Sequence, residues 1–187
     1  MTPGILSPRT PMKFANRPVD EVRRLAALDE LHILDTDFEP EYDAIVRRAA
    51  EICGVPMASI TMIDRERQWH KAMLNMTERE APRDITFCAH TILADDMLVV
   101  EDAALDARFH DNPFVTGAPR IRFYAGQPLK APGGEVVGTL CVIGQHPHRL
   151  SDEQRAELQA LAAQAMTLLD LRAQAIRAER DQVNGHE

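Results

Sequence analysis

No apolar run in this chain approaches the ~20 residues that a membrane-spanning helix needs. The opening MTPGILSPRTPMKFANR also lacks the apolar core of a secretory signal. Positive charge is scarce: 21 Lys and Arg stand against 29 Asp and Glu, a net charge of −8. That balance argues against nucleic acid or an anionic membrane as the main partner, and Arg120–Arg122 is the nearest approach to a basic patch. Cysteine is sparse and odd in number. Cys53, Cys88 and Cys141 form no C-x-x-C pair and match no metal spacing, so a reducing cytoplasmic setting and no metal site are expected. What remains, 45% hydrophobic and 27% charged residues, is the composition of an ordinary soluble domain. At 187 residues the chain is long enough to bury one proper core.

Aromatics are only 5% of the chain, yet rings gather with Cys88, His90, His110 and several Asp and Arg between Phe87 and Leu129. Rings and polar groups placed around two short strand-like runs, Leu98–Glu101 and Ile121–Leu129, suggest a lined pocket more than a plain core.

The remaining elements follow from periodicity and punctuation. Residues 1–16, with Pro3, Pro8 and Pro11, predict a flexible tail. Val19, Val22, Leu25, Leu28, Leu31 and Ile33 predict a helix from Pro18 to about Leu34. A second helix fits Glu39–Cys53, with Pro40 early and Gly54 just past the end. Met57–Ile63 and Gln68–Leu74 predict strands, with Asn75 left-handed after the second. Thr77–Arg83 reads as a loop, Ile85–Leu93 as a short helix and Leu98–Glu101 as a short strand. Asp102–Pro119 reads as a long irregular segment, with Asn112-Pro113 a turn; loops this long in compact domains usually carry function. Ile121–Leu129 and Glu135–Ile143 predict a hairpin closed by Ala131–Gly134. Ser151-Asp-Glu-Gln154 is a capping box that opens a last helix running to about Arg180. Its apolar stripe thins after Leu171, too thin for a core but adequate for a partner helix. Few, mostly hairpin-linked strands among helices predict an α/β (α+β) domain with an antiparallel sheet.

The segments LDELHILDTDFEPEYDAIVRRAAEICGVPMASITMIDRERQWHKA, PRDITFCAHTIL, LVVEDA, DARFHDNPFVTG, IRFYAGQPL and GTLCVIG follow one another over about Val19–Leu171. They resemble a GAF domain, of the type found in bacterial sensor histidine kinases and diguanylate cyclases. The resemblance implies a central antiparallel sheet of five to six strands with terminal helices on one face and a pocket-covering helix and loop on the other. It implies a GAF domain over 17–172, a C-terminal helix extension and frayed tail over 173–187, and a bacterial sensory module that is not an enzyme. It further implies a homodimer through residues 18–34 and 151–180. Since no kinase, cyclase or DNA-binding domain follows, the expectation is a stand-alone sensor that addresses a separate partner such as a histidine kinase.

The candidate pocket residues are Phe87, Cys88, His90, Asp102, Phe109, Asn112, Arg122, Tyr124, Thr139 and Cys141; none is expected to be catalytic. Cys88 and His90, two apart on a helix, point to different sides and make a poor metal pair. Arg120, Arg122 and Tyr124 are expected on one strand face, as a solvated edge or as a row meeting an anionic or planar ligand. Asp102, Asp106 and Asp111 are candidate partners for those arginines. Bilin-attaching relatives carry a Cys-His pair shortly before the strand that here is IRFYAGQPL; this chain has Phe109-His110-Asp111 there, and Cys88 precedes Ala89. A covalent bilin is therefore not expected, while free haem stays open with His90 or His110 as ligand. Free methionine sulfoxide reductases share the fold and cluster three cysteines at the pocket. Here Cys53 ends an outer helix, Cys141 lies on a strand, and the acidic residue they place on the strand before the last hairpin is missing. The alternatives are a pocketless interaction module, and a thiol sensor or reductase-like enzyme using Cys88.

Overall fold

Strand β1 (Met57–Ile63), buried at every residue, lies inside a six-stranded antiparallel sheet. The others are β2 (Arg67–Leu74), β3 (Glu80–Pro82), β4 (Leu98–Val100), β5 (Phe123–Lys130) and β6 (Val136–Gly144), in the order β3-β2-β1-β6-β5-β4. This computed structural model describes residues 12–184; most of the tail predicted over residues 1–16, and the last three residues of the predicted C-terminal tail, lie outside the described residues. Five α-helices accompany the strands among the described residues: α1 (Glu21–Glu30) and α2 (Pro40–Cys53) before them, α3 (Phe87–Thr91) and α4 (Pro113–Thr116) between them, and α5 (Asp152–Asn184) after them.

Side-chain alternation assigns the two faces. Ala58, Ile60 and Met62 of β1 join Leu140 and Val142 of β6 in the main core, together with Leu28 of α1, Ile45 and Val46 of α2, and Leu158, Ala165 and Leu169 of α5. A second cluster, with Phe87, Cys88, Phe109, Val115, Tyr124 and Cys141, fills the opposite face under α3, α4 and their loops. The sheet is therefore covered on both sides, by long helices on one and by short elements on the other.

Where local chemistry is strong, the elements form as read. Helix α2 stops at Gly54, which takes φ 67, a left-handed cap that carries no Cβ penalty. Ser151 N donates to Gln154 Oε1 at 2.9 Å and Gln154 N to Ser151 Oγ at 3.2 Å, the reciprocal pair of a capping box. Gln154 Nε2 also donates to Ile52 O at 2.9 Å, tying α5 to the end of α2. Helix α5 continues to Asn184, and none of residues 174–183 is buried.

Several expectations are corrected. Helix α1 covers only Glu21–Glu30, and Val19 and Val22 stand 102% and 85% exposed. Val19 lies before the helix, and because a three-residue spacing drifts by about 60° per step against a 3.6-residue turn, Val22 rotates off the face that Leu25 and Leu28 bury. His32 and Asp35, at φ 48 and 61, then turn the chain away from the helix axis. The predicted loop Thr77–Arg83 contains β3, paired to β2 through Trp69–Glu80, Gln68–Ala81 and Arg67–Pro82. Three residues ending in proline show no periodicity, and an edge strand tolerates Pro82. The predicted helix Ile85–Leu93 divides into a 3-10 turn over Arg83–Ile85 and α3, because Thr86 takes an extended N-cap conformation between them. Asn112-Pro113 is not a simple turn but the start of α4, with Asn112 Oδ1 accepting from Phe114 N at 2.8 Å. Strand β5 begins at Phe123, and Arg120 takes φ 62, so the expected row of Arg120, Arg122 and Tyr124 on one strand face does not form.

Candidate functional site

The second face of the sheet holds a cavity of about 500 Å³, within the range that encloses small-molecule ligands. Met57, Gln68, His70, Tyr124, Cys141 and Ile143 form its floor from the strands, Phe87 and Cys88 border it from α3, and Met76–Pro82 with Phe114–Ile121 supply residues of its rim. Among the described residues no lysine or arginine lines it, and the charged groups there are Glu78 and Glu80.

A bulge in β2 decides which polar groups reach this floor. Pairing with β1 slips between Ile60 and Thr61, which face Ala72 and His70, so Lys71 has no partner of its own. Lys71 therefore joins Trp69 and Ala72 on the helix face. It is fully buried there, with Nζ donating to Thr36 Oγ1 at 3.2 Å and lying 3.4 Å from Glu39. Burial chiefly holds its ammonium below the usual lysine range. Gln68 and His70 are left facing the cavity. One inserted residue thus keeps a buried cation out of the site.

From Gln68 a chain of buried polar contacts crosses the floor. Gln68 Nε2 lies 3.2 Å from His70 Nε2, His70 Nδ1 2.6 Å from Ser59 Oγ, and Ser59 Oγ 2.7 Å from Thr61 Oγ1. Longer sulfur contacts continue it: Thr61 Oγ1 to Cys141 Sγ at 4.0 Å and Cys141 Sγ to Cys88 Sγ at 3.9 Å. Tyr124 Oη closes the far end, donating to Cys88 Sγ at 3.3 Å and paired with Thr91 Oγ1 at 2.7 Å. Gly126 makes room for that corner, since a Cβ there would stand 2.2 Å from Tyr124 Oη and 2.8 Å from Thr91 Oγ1.

Burial, and then the charge of Arg79, bring the His70 imidazole down to about 4, so it is neutral at physiological pH. A neutral ring has one donor and one acceptor nitrogen, so His70 accepts from one of Gln68 and Ser59 and donates to the other. Burial, the largest influence on Cys88, pushes its thiol up. The groups around it, Cys141 foremost, outweigh burial and bring it to about 7. Cys141 is driven well above the ordinary thiol range, first by its contact with Cys88. Cys53 belongs to the helix-side core, and burial alone raises it to about 11.

Residues 37–169 match the GAF domain family over most of the chain. The chain belongs to the GAF domain family. It is 42% identical over 130 residues to a cyclic di-GMP phosphodiesterase of Pseudomonas aeruginosa; the match takes in 70% of this chain and spans only 22% of that relative's length. Among solved structures it resembles the GAF domain of a phosphoenolpyruvate-protein phosphotransferase from Acinetobacter. There the TM-score is 0.59 at 19% identity, over 83% of this chain and 98% of that one. It also resembles the type II free methionine-R-sulfoxide reductase from Thermoplasma acidophilum, with TM-score 0.57 at 15% identity over 68% and 88% of the two chains. At those identities the likeness is one of fold.

Within this GAF domain, four of the ten sequence candidates border the cavity: Phe87, Cys88, Tyr124 and Cys141. The other six lie off its wall. His90 packs edge-on against Phe109, their ring centres 4.8 Å apart, and Phe109 in turn stacks on Phe87 at 4.1 Å. Asp102 Oδ1 accepts from Ala104 N, and Asn112 Nδ2 donates to Ile85 O at 2.8 Å. Arg122 Nη1 donates to Val115 O and Ile121 O, so its charge holds the loop. The aspartate partnership also differs from expectation: Asp106 is taken by Arg108 at 2.6 Å, its own neighbour in the turn, and not by Arg120 or Arg122. Thr139 is buried on β6; its hydroxyl has no hydrogen-bond partner among the described residues, yet it lies close enough to Cys88 to help lower that thiol. His110, the other haem candidate, is also off the wall. Cys141 borders the cavity from β6, as expected, because α3 lies over the face of the sheet that carries it. Sequence reasoning missed Gln68, His70, Ser59 and Thr61. Their signal was the polar alternation of Ser59 and Thr61 within an otherwise apolar strand.

Proposed function

We propose that this GAF domain is a sensor, not an enzyme, in which a small ligand in the β-face cavity alters how the terminal helices associate in a homodimer. The observation that carries this reading is the cavity itself, walled by α3 and the rim segments on the face opposite α1, α2 and α5. Occupancy at the floor bears on β1 and β6, whose other faces pack on those helices, so a shift there has a short path to the dimer. The dimer reading is supported by α5, which runs beyond its last buried residue, Ala173, and by exposed Val22, Leu171 and Val183. A histidine kinase, or an enzyme of cyclic di-GMP turnover like the Pseudomonas relative, is the kind of output such a sensor would govern, from the cytoplasmic side. Native mass spectrometry of freshly purified protein tests both parts: a dimer carrying a small-molecule mass is expected, and a ligand-free monomer at all concentrations would refute it.

A second reading is favoured by one distance, the 3.9 Å between Cys88 Sγ and Cys141 Sγ at the cavity floor. In a peroxide sensor, the Cys88 thiolate would attack one peroxide oxygen and break the O–O bond, becoming a sulfenic acid, while the departing hydroxide takes a proton from solvent and leaves as water. The Cys141 thiol would then displace a second water and form the disulfide. Intact mass after peroxide treatment should fall by two hydrogens, with Cys53 still free. If the wild type keeps three free thiols, or Cys141→Ser loses the same mass, this reading is discarded.

A further inference from the structure

The chain of contacts on the cavity floor leaves one atom over. Gln68 is only 7% exposed, borders the cavity, and gives its amide nitrogen to His70, while its Oε1 has no hydrogen-bond partner among the described residues. An unpaired buried carbonyl is costly, and the soft last torsion of a glutamine allows a small turn toward the cavity. An amide can also turn over; the chain through neutral His70 then reverses, and Gln68 has an N–H to offer instead. In either orientation the occupant must answer an amide.

The rest of the wall limits what that occupant is. Met57, Ile85, Phe87, Phe114, Ile121 and Ile143 present apolar surface, and the charged groups are Glu78 and Glu80 with no cation among the lining residues. Glu80 is balanced by Arg67 at 2.7 Å; exposed Glu78 has no ion-pair partner among the described residues. A carboxylate or phosphate entering here would meet like charge and, among the described residues, no guanidinium or ammonium in the lining to receive it.

Resting on the reading that this cavity is the sensory site, we propose that it binds an uncharged, largely apolar ring compound whose lactam or amide edge pairs with Gln68, and that it rejects anions. A lactam edge offers a donor and an acceptor side by side, so it satisfies Gln68 in both orientations.

Four probes of similar shape test this: isoquinolin-1(2H)-one, its N-methyl derivative, naphthalene and 1-naphthoate. Each is titrated into the ¹⁵N-labelled full chain and followed by NMR, with the Gln68 side-chain amide as reporter. The lactam should bind roughly two- to tenfold more tightly than naphthalene, the worth of one buried hydrogen bond, and should move the Gln68 amide signal. The N-methyl derivative should lose most of that advantage, and 1-naphthoate should bind least. Gln68→Met should bring the lactam down to naphthalene. Glu78→Lys, at an exposed position that leaves the fold alone, should strengthen 1-naphthoate by about two- to fivefold. Equal binding of lactam and naphthalene, tighter binding of 1-naphthoate to the wild type, or an unchanged preference in Gln68→Met would overturn the lactam assignment and leave the sensory cavity standing. If no probe moves any cavity resonance, the lactam assignment falls, and the sensory reading falls with it only if the native mass spectrum also shows a ligand-free monomer.

Discussion

Replacing His70 by Gln should flatten the dependence of stability on pH between 7 and 5. The imidazole is 2% exposed, and its pKa falls from 6.5 to about 4, by burial first and by the charge of Arg79 second. The folded state thus holds His70 neutral where the unfolded chain protonates it, so the unfolded chain binds more protons and stability falls as pH drops through 6.5 toward 4. At pH 7 both states are mostly neutral and the cost is small. At pH 5 the unfolded imidazole is about 1.5 pH units below its own pKa while the folded one is still mostly neutral; at ~1.4 kcal/mol per unit this is a loss of about 2 kcal/mol. Urea unfolding at pH 7, 6 and 5 measures it. Gln keeps a neutral donor and acceptor between Gln68 and Ser59, so His70→Gln should remove about 2 kcal/mol of pH dependence whatever its stability at pH 7. His90, whose burial also lowers its pKa, contributes equally to both proteins and cancels in the difference. Carboxylates such as Glu21, which burial pushes up but Arg24 and Arg83 hold at about 2, add a loss of stability at lower pH to both proteins alike. Equal slopes for wild type and His70→Gln would refute the account of a neutral, desolvated imidazole.

Three other outcomes follow from named contacts. Gly126→Ala drives a methyl group onto Tyr124 Oη and Thr91 Oγ1, so it should cost about 2–4 kcal/mol in chemical denaturation; in a Tyr124→Phe background the cost should shrink, and strict additivity would count against the steric explanation. Ser151→Ala removes the capping oxygen from Gln154 N and should destabilise by about 1 kcal/mol, with faster amide exchange confined to the first turn of α5. Leu171→Glu, at a position 56% exposed, should leave the melting transition of a dilute sample nearly unchanged but raise the dissociation constant of the proposed dimer by tenfold or more in sedimentation equilibrium; an unaffected constant, or a wild type that is already monomeric, would refute an interface on this part of α5.

Much of the fold is written in local chemistry. Helix α2 is bounded by Pro40 and Gly54, α5 opens on Ser151 and Gln154, and β1 and β2 carry β-prone residues ending in a left-handed Asn75 at φ 54. These signals act within a few residues, so they survive without knowledge of neighbours. Elements whose formation depends on what they pack against were not legible. Strand β3 exists because β2 offers an edge beside it, and α1 begins at Glu21 because Glu21 binds Arg24 and Arg83, the latter brought from the turn after β3.

The site divides in the same way. The sequence pointed to the segment after Phe87 through its rings and polar groups, and Phe87, Cys88, Tyr124 and Cys141 do border the cavity. Ten candidates could not be narrowed to those four, because a loop aspartate that caps a turn and one that meets a ligand look the same in one dimension. Still less could sequence show that Gln68, His70, Ser59 and Thr61 join in one chain.

The sequence by itself therefore determined the GAF family, the order of most elements and their caps, since periodicity and capping chemistry are local. Only the tertiary structure decided which side chains share the cavity floor. The deciding event is the bulge at Lys71, a slip in the pairing of β2 with β1. It sends one buried cation to the helix face and leaves a neutral amide and imidazole facing the cavity, and register between strands is a property of the pair, not of either strand alone.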